Sequence, residues 1–216
     1  MYKQLKTGLL AIGLVAASAG AFADTSLNAV GSGWCESSSF CNNTNSGAIA
    51  NTFAGNFSGD AYRDWFAFDI ANESMSAATV SIWNDGNNTS NDPGATYSMT
   101  ATSGFSFAGL MSGLSFGSVT AHIADTGASH YVDIVFNAAG INFLNAHLGT
   151  RVVLGGNVSS TSPNPNVQFF GYTSGHPTAT LNTVSAVPEP ESYAMLLAGL
   201  GLIGAIARRR KHHRAV

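Results

Sequence analysis

Between Lys6 and Lys211 the chain has no lysine, and Arg63 and Arg151 are the only arginines in that stretch until the final basic cluster begins at Arg208. Eleven Asp and Glu lie between Asp24 and Pro190, which against those two arginines leaves nine net negative charges in the middle of a chain whose overall formal charge is -3. Binding to a polyanion needs a basic stripe that releases counterions, so nucleic acid and anionic membrane surfaces are excluded as ligands of this part. Charge of either sign is scarce, at 10% of 216 residues. Solubility must come from Asn, Ser, Thr and Gly, a balance common in exported β proteins.

Cysteine is almost absent. Cys35 and Cys41 stand six apart in CESSSFC, a spacing unlike the CxxC of redox and zinc sites. Given the export signal described next, they are expected to form a local disulfide that pins an N-terminal loop.

Long apolar runs occur only at the two ends. Residues 1–23 carry Lys3 and Lys6, then an apolar run from Leu9 to Ala17, then small residues ending in Ala21-Phe22-Ala23. This is the pattern of a secretory signal helix, with cleavage by signal peptidase expected between Ala23 and Asp24, and the run is too short for a retained span. At the other end Val187-Pro188-Glu189-Pro190 precedes Tyr193 to Ala207, fifteen residues without charge, and then Arg208, Arg209, Arg210 and Lys211. As a transmembrane helix those fifteen residues reach about 22 Å at 1.5 Å each, short of a hydrocarbon core of about 30 Å, so the anchor is marginal. The basic cluster acts as a membrane stop held in the cytoplasm, which leaves the acidic domain outside. Gly199, Gly201 and Gly204, and the lack of a polar face, argue against a water-soluble core helix.

The segment VPEPESYAMLLAGLGLIGAIARRRK resembles the PEP-CTERM sorting signal of Gram-negative bacteria. The resemblance implies that exosortase, a membrane-embedded cysteine protease, recognises Pro188, Glu189 and Pro190. It further implies an inner-membrane precursor that is then released or reattached at the cell surface or in the extracellular matrix. Proteins of this kind accompany exopolysaccharide and biofilm production. Two prolines fix φ and deny a helix start, so the tripeptide is presented extended at the membrane face.

What remains, 24–186, is long enough for one domain with a core. From Asn51 to Val184, short β-branched and aromatic runs alternate with Gly, Asn, Asp and Pro turns, the pattern of a single antiparallel β-sandwich. In AYRDWFAFDI, period two puts Phe66, Phe68 and Ile70 on one face and Arg63, Trp65 and Asp69 on the other. Further strands are expected over 77–83, 96–102, 117–124, 130–136, 151–158, 167–173 and 178–184, and eight strands suit a jelly-roll-like fold. One segment departs: NAAGINFLNAHLG spaces Ile141, Leu144 and Leu148 as a short helix, with Asn137 as N-cap and Gly149 as stop. The pair YRDWFAFDI and SAATVSIWN also resembles a hairpin of surface β-sandwich modules frequent in PEP-CTERM proteins, and more distantly carbohydrate-binding jelly rolls. GSVTAHIAD and DIVFNAAGINFLNAHLGTRVVLGG extend that likeness, which transfers no binding residue.

Catalytic chemistry finds little support. Gly113-Leu114-Ser115-Phe116-Gly117 matches the G-x-S-x-G elbow of hydrolases, but SVTAHIAD after it reads as a strand where the elbow needs a helix, so a Gly/Ser hairpin is the preferred reading over a secreted esterase. His122, His130, His147 and His176 show no zinc spacing, and no metal site is expected from them. Asp85, Asn87, Asn88, Asn91 and Asp92 crowd the 84–94 loop with the oxygen ligands calcium takes, yet the EF-hand order is missing and Asn-Asp-Gly and Asp-Pro-Gly are ordinary turn formers. No cofactor is therefore assigned. Trp34, Trp65 and Trp83 offer flat faces to sugar rings; Trp34 and Trp83 are the better exposed candidates for glycan contact, with core filling as the alternative. The expectation is a non-catalytic surface or matrix protein, with a carbohydrate-binding module as the second reading.

Overall fold

The computed structural model describes residues 24–42, 51–57, 59–84, 95–120, 130–160, 167–169, 177–186 and 195–204. Residues 24–186 form one compact unit of two antiparallel sheets. The smaller contains β1 (Asp24–Asn28), β12 (Ala179–Ser185), β6 (Met75–Asn84) and β9 (His130–Val135), in that spatial order. The larger runs β11 (Val167–Phe169), β4 (Ala54–Phe57), β5 (Asp60–Asp69), β10 (Arg151–Ser159), β7 (Thr96–Ala101) and β8 (Ser115–Thr120). On the other edge of β5 lies β2 (Gly31–Glu36), which also pairs with β3 (Cys41–Asn42). The architecture is a β-sandwich.

Alternation in β5 explains where the core sits. Phe66, Phe68 and Ile70 point inward and meet Val80 and Ile82 of β6, Ile134 of β9, Leu154 of β10 and Leu181 of β12 between the sheets. Burying each such side chain stabilises the fold by about 1.5–3 kcal/mol. The opposite side of β5 is also buried. Trp65 and Ala67 pack with Cys35, Leu110, Phe107 and Val153, because the segment after β7, including a 3-10 turn at Gly109–Met111, folds over the outer surface of the larger sheet. Trp65 fits there because its cross-strand neighbours are Gly33 on β2 and Gly155 on β10. A Cβ on Gly33 would lie 2.7 Å from the Trp65 indole nitrogen, and one on Gly155 would run into the Leu110 carbonyl.

The helix expected from sequence is α1, Ala138–Ala146, and Asn137 caps it by accepting a 3.0 Å hydrogen bond from the Gly140 N–H. Leu144 is fully buried, while Ile141 and Leu148 lie partly buried against the same core. Asn145 ties the helix to β6 through two 2.9 Å bonds with the backbone of Met75. The chain turns at Gly149, whose φ of 69° is left-handed, and its N–H donates to the Ile70 carbonyl.

Two expectations need correction. The chain between 24 and 50 carries β1, β2 and β3 where sequence placed only a pinned loop, and β4 also adds to the expected set, giving twelve strands among the described residues instead of eight. Cross-strand partners override weak propensity here: GSGWCE is glycine-rich because Trp65 lies against it. The strands expected over 117–124 and 167–173 are described as far as Thr120 and Phe169, and their remainders lie outside the described residues. At the C-terminal side, residues 195–204 are helical. No helix among the described residues is long and apolar enough to cross a membrane. The expected signal helix over 1–23 lies outside the described residues.

Candidate functional site

Cys35 and Cys41 are bonded, as expected from their spacing and the export signal. They face each other in register across β2 and β3, and Cys35 is buried beneath the segment that covers Trp65. Trp34, next to the bridge, points to the inner side of the larger sheet. It packs at centroid distances of 5.5, 6.1 and 5.6 Å from Phe40, Phe53 and Tyr62. Its ring is half-buried, its indole nitrogen is enclosed, and three aromatic rings pack against it.

One step along β5 lies Asp64, cross-strand from Trp34 on β2 and from Gly156 on β10. Asp64 is fully buried, and the Tyr97 hydroxyl donates to its Oδ1 at 2.7 Å. Burial pushes the carboxyl from 3.8 up to about 7, with the Tyr97 hydrogen bond holding it back in part. Burial first, and the Asp64 charge second, drive the Tyr97 phenol well above its ordinary 10.0. A Cβ on Gly156 would collide with both groups. Glycine is required there for close approach.

The outer face of the smaller sheet is different in character. Ser26 Oγ donates to Asn182 Oδ1 at 2.7 Å, Asn182 Nδ2 donates to Ser81 Oγ at 3.0 Å, and Ser81 Oγ donates to Asp133 Oδ1 at 2.6 Å. This relay crosses β1, β12, β6 and β9 in turn. At one end of the same face Trp83 stands opposite Tyr131 in register, with ring centroids 5.0 Å apart and planes at 69°. Trp83 is half-buried and Tyr131 is 39% exposed. The two tryptophans singled out from sequence therefore belong to different sheets and do not form one site. Tyr131, Ser26, Asn182 and Asp133 escaped sequence reasoning because only the strand register brings them to Trp83 and Ser81.

Neither arginine of the domain reaches this face. Arg63 stacks its guanidinium 3.8 Å from the Phe107 centroid, donates to the Phe107 carbonyl, and reaches Asn157 Oδ1 at 3.2 Å. Arg151 makes a bidentate pair with Asp69 across β10 and β5 at 2.7 and 2.9 Å. That pair is solvated and contributes little to stability.

The remaining candidates resolve as follows. Ser115 opens β8 and pairs with Thr100 of β7, so the elbow sequence leads into a strand where a nucleophile elbow leads into a helix. His147 closes α1 with Nδ1 2.7 Å from the Phe143 carbonyl oxygen, and His130 begins β9. His122, His176 and the 85–94 part of the proposed calcium loop lie outside the described residues, and among the described residues no three His, Cys, Asp or Glu side chains group as metal ligands. Asp24 is the first residue of β1, whereas Ala23, Pro188, Glu189, Pro190 and Arg208 to Lys211 lie outside the described residues. The large apolar side chains of the helical stretch 195–204 are exposed, among them Leu197 at 67% and Ile203 at 66%.

Residues 186–211 match the PEP-CTERM protein-sorting motif. The match implies export, a membrane-anchored precursor, processing by exosortase and a final place at the surface. None of the curated proteins compared matches the chain.

Proposed function

We propose that this exosortase-sorted surface protein is a non-catalytic component of the extracellular matrix of a Gram-negative bacterium, associated with exopolysaccharide and biofilm. The observation that carries the reading is the sorting motif over 186–211, which directs the chain outward. Signal peptidase removes residues 1–23, and the apolar C-terminal segment holds the precursor in the inner membrane until exosortase acts near Pro188-Glu189-Pro190. The exposed leucines of 195–204 favour this anchoring, since an exposed run of large apolar side chains belongs in lipid or against a partner. Deleting exosortase from the producing cell should leave the full-length chain in the membrane fraction. Unchanged size and location would refute the sorting claim.

A second reading, a carbohydrate-binding module, is favoured by the Trp83 and Tyr131 pair on a polar sheet face.

A further inference from the structure

We infer that the outer face of the four-stranded sheet is a binding platform for an uncharged polysaccharide. The inference deepens the second reading above, and it rests on export only for which polymers the domain meets.

The relay Ser26, Asn182, Ser81 and Asp133 spans all four strands. Three inter-strand gaps of about 4.8 Å make this about 14 Å, enough for a short run of sugar rings. Each hydroxyl and amide in the relay already has its donor direction set by its neighbour. A ligand thus meets polar groups whose orientation is prearranged, which lowers the ordering cost of binding. Asp133 is exposed and takes the Ser81 hydrogen bond on Oδ1, which leaves Oδ2 as the acceptor for a sugar hydroxyl. At the end of the relay, the 69° angle between Trp83 and Tyr131 makes a corner in which one ring forms a floor and the other a wall. A pyranose stacked on the floor keeps its ring edge against the wall and its hydroxyls toward Ser81 and Asp133, the one-side apolar, one-side polar recognition that sugars need.

Charge selects among glycans. Lys and Arg are missing from this face, and the carboxylates Asp24 and Asp133 stand on it. A uronate or sulfated chain would meet repulsion and no counter-charge, so the occupant is uncharged.

The test uses the full-length chain in a polyoxyethylene detergent on an array of neutral and uronic-acid oligosaccharides, followed by affinity electrophoresis in the best neutral polymer. Binding to at least one neutral glycan and to none of the uronic-acid chains is expected. Trp83→Ala and Tyr131→Ala should each weaken that binding by about tenfold or more, as loss of an aromatic anchor does. Ser81→Ala, which interrupts the relay without removing a ring, should weaken it several-fold, with the far-ultraviolet spectrum unchanged for all three. Phe40→Ala, beside Trp34 on the other sheet, should leave it as it was. The inference is overturned by no neutral binding, by equal binding of uronic-acid chains, by binding that follows Phe40 instead of Trp83, or by the face proving to be a contact between copies that Tyr131→Ala dissolves. Because binding is read on isolated protein, its failure leaves the sorting reading standing, and failure of sorting leaves the binding result intact.

Discussion

The Tyr97 hydroxyl donates a 2.7 Å hydrogen bond to Oδ1 of Asp64, and neither residue has any exposed surface. The second oxygen, Oδ2, is buried and has no hydrogen-bond partner among the described residues. A carboxyl so placed is easier to keep neutral than charged, which is why it holds its proton to about pH 7.

Folding stability therefore depends on pH in a defined direction. Between the ordinary carboxyl value of 3.8 and the folded value of about 7, the native state binds more protons at Asp64 than the unfolded chain does. Stability from this group is full below that window, falls as pH rises through it by at most about 1.4 kcal/mol per unit, and is level above it. Denaturant midpoints should drop between pH 5 and pH 7.5. In Asp64→Asn, which keeps the oxygen acceptor for Tyr97 and cannot ionise, that drop should vanish. A slope equal to that of the parent protein would show that the carboxyl is not the group responsible.

Gly156 sits where a methyl group would displace both partners of that hydrogen bond. Gly156→Ala should cost about 1–3 kcal/mol by overpacking, with a further cost if the Tyr97 bond to Asp64 is lost. Thermal unfolding checks it. Gly104→Ala is the comparison, since its Cβ would meet nothing within 4 Å and should change little.

These close approaches also separate what was legible in the sequence from what was not. The alternation of Phe66, Phe68 and Ile70 marked β5 and its inner face, and the spacing of Ile141, Leu144 and Leu148 behind Asn137 marked α1, because both are periods within one segment. Gly33 and Gly155 lie in strands on either side of Trp65, and what makes glycine fit at both is that ring on the strand between them, a pairing that no pattern within either strand announces. The pair Trp83 and Tyr131 is a fact of register between β6 and β9, which no local pattern in either strand contains. The disulfide was readable because its two cysteines are close in sequence, and the sorting segment because its three parts are contiguous.

The bridge between Cys35 and Cys41 closes a short loop, for which chain-entropy arguments give about 2 kcal/mol. Replacing both cysteines by alanine should lower the melting temperature by roughly 4–8 °C in a domain of this size. The effect should equal that of a reductant on the parent protein, and reductant should do nothing further to the variant. A larger loss would mean that the bridge also holds down the segment over Trp65, where Cys41 Sγ lies 3.5 Å from the Phe105 carbonyl oxygen.

The membrane anchor is the step with the least reserve, and that makes its basic end decisive. On the proposed anchoring, a helix over the fifteen uncharged residues from Tyr193 to Ala207 would reach about 22 Å, so hydrophobicity alone would hold it weakly against a hydrocarbon core of about 30 Å. On that proposal Arg208, Arg209, Arg210 and Lys211 would supply the rest by refusing to cross. In cells lacking exosortase, replacing these four by glutamine should shift the uncut chain from the membrane pellet to the soluble exterior fraction, while leaving 187–207 intact. Replacing Pro188 and Pro190 by alanine in cells that have exosortase should do the reverse and keep the chain in the pellet at full length. If the glutamine variant stays in the membrane as firmly as the parent, the apolar stretch is a sufficient anchor by itself and the basic cluster has some other task.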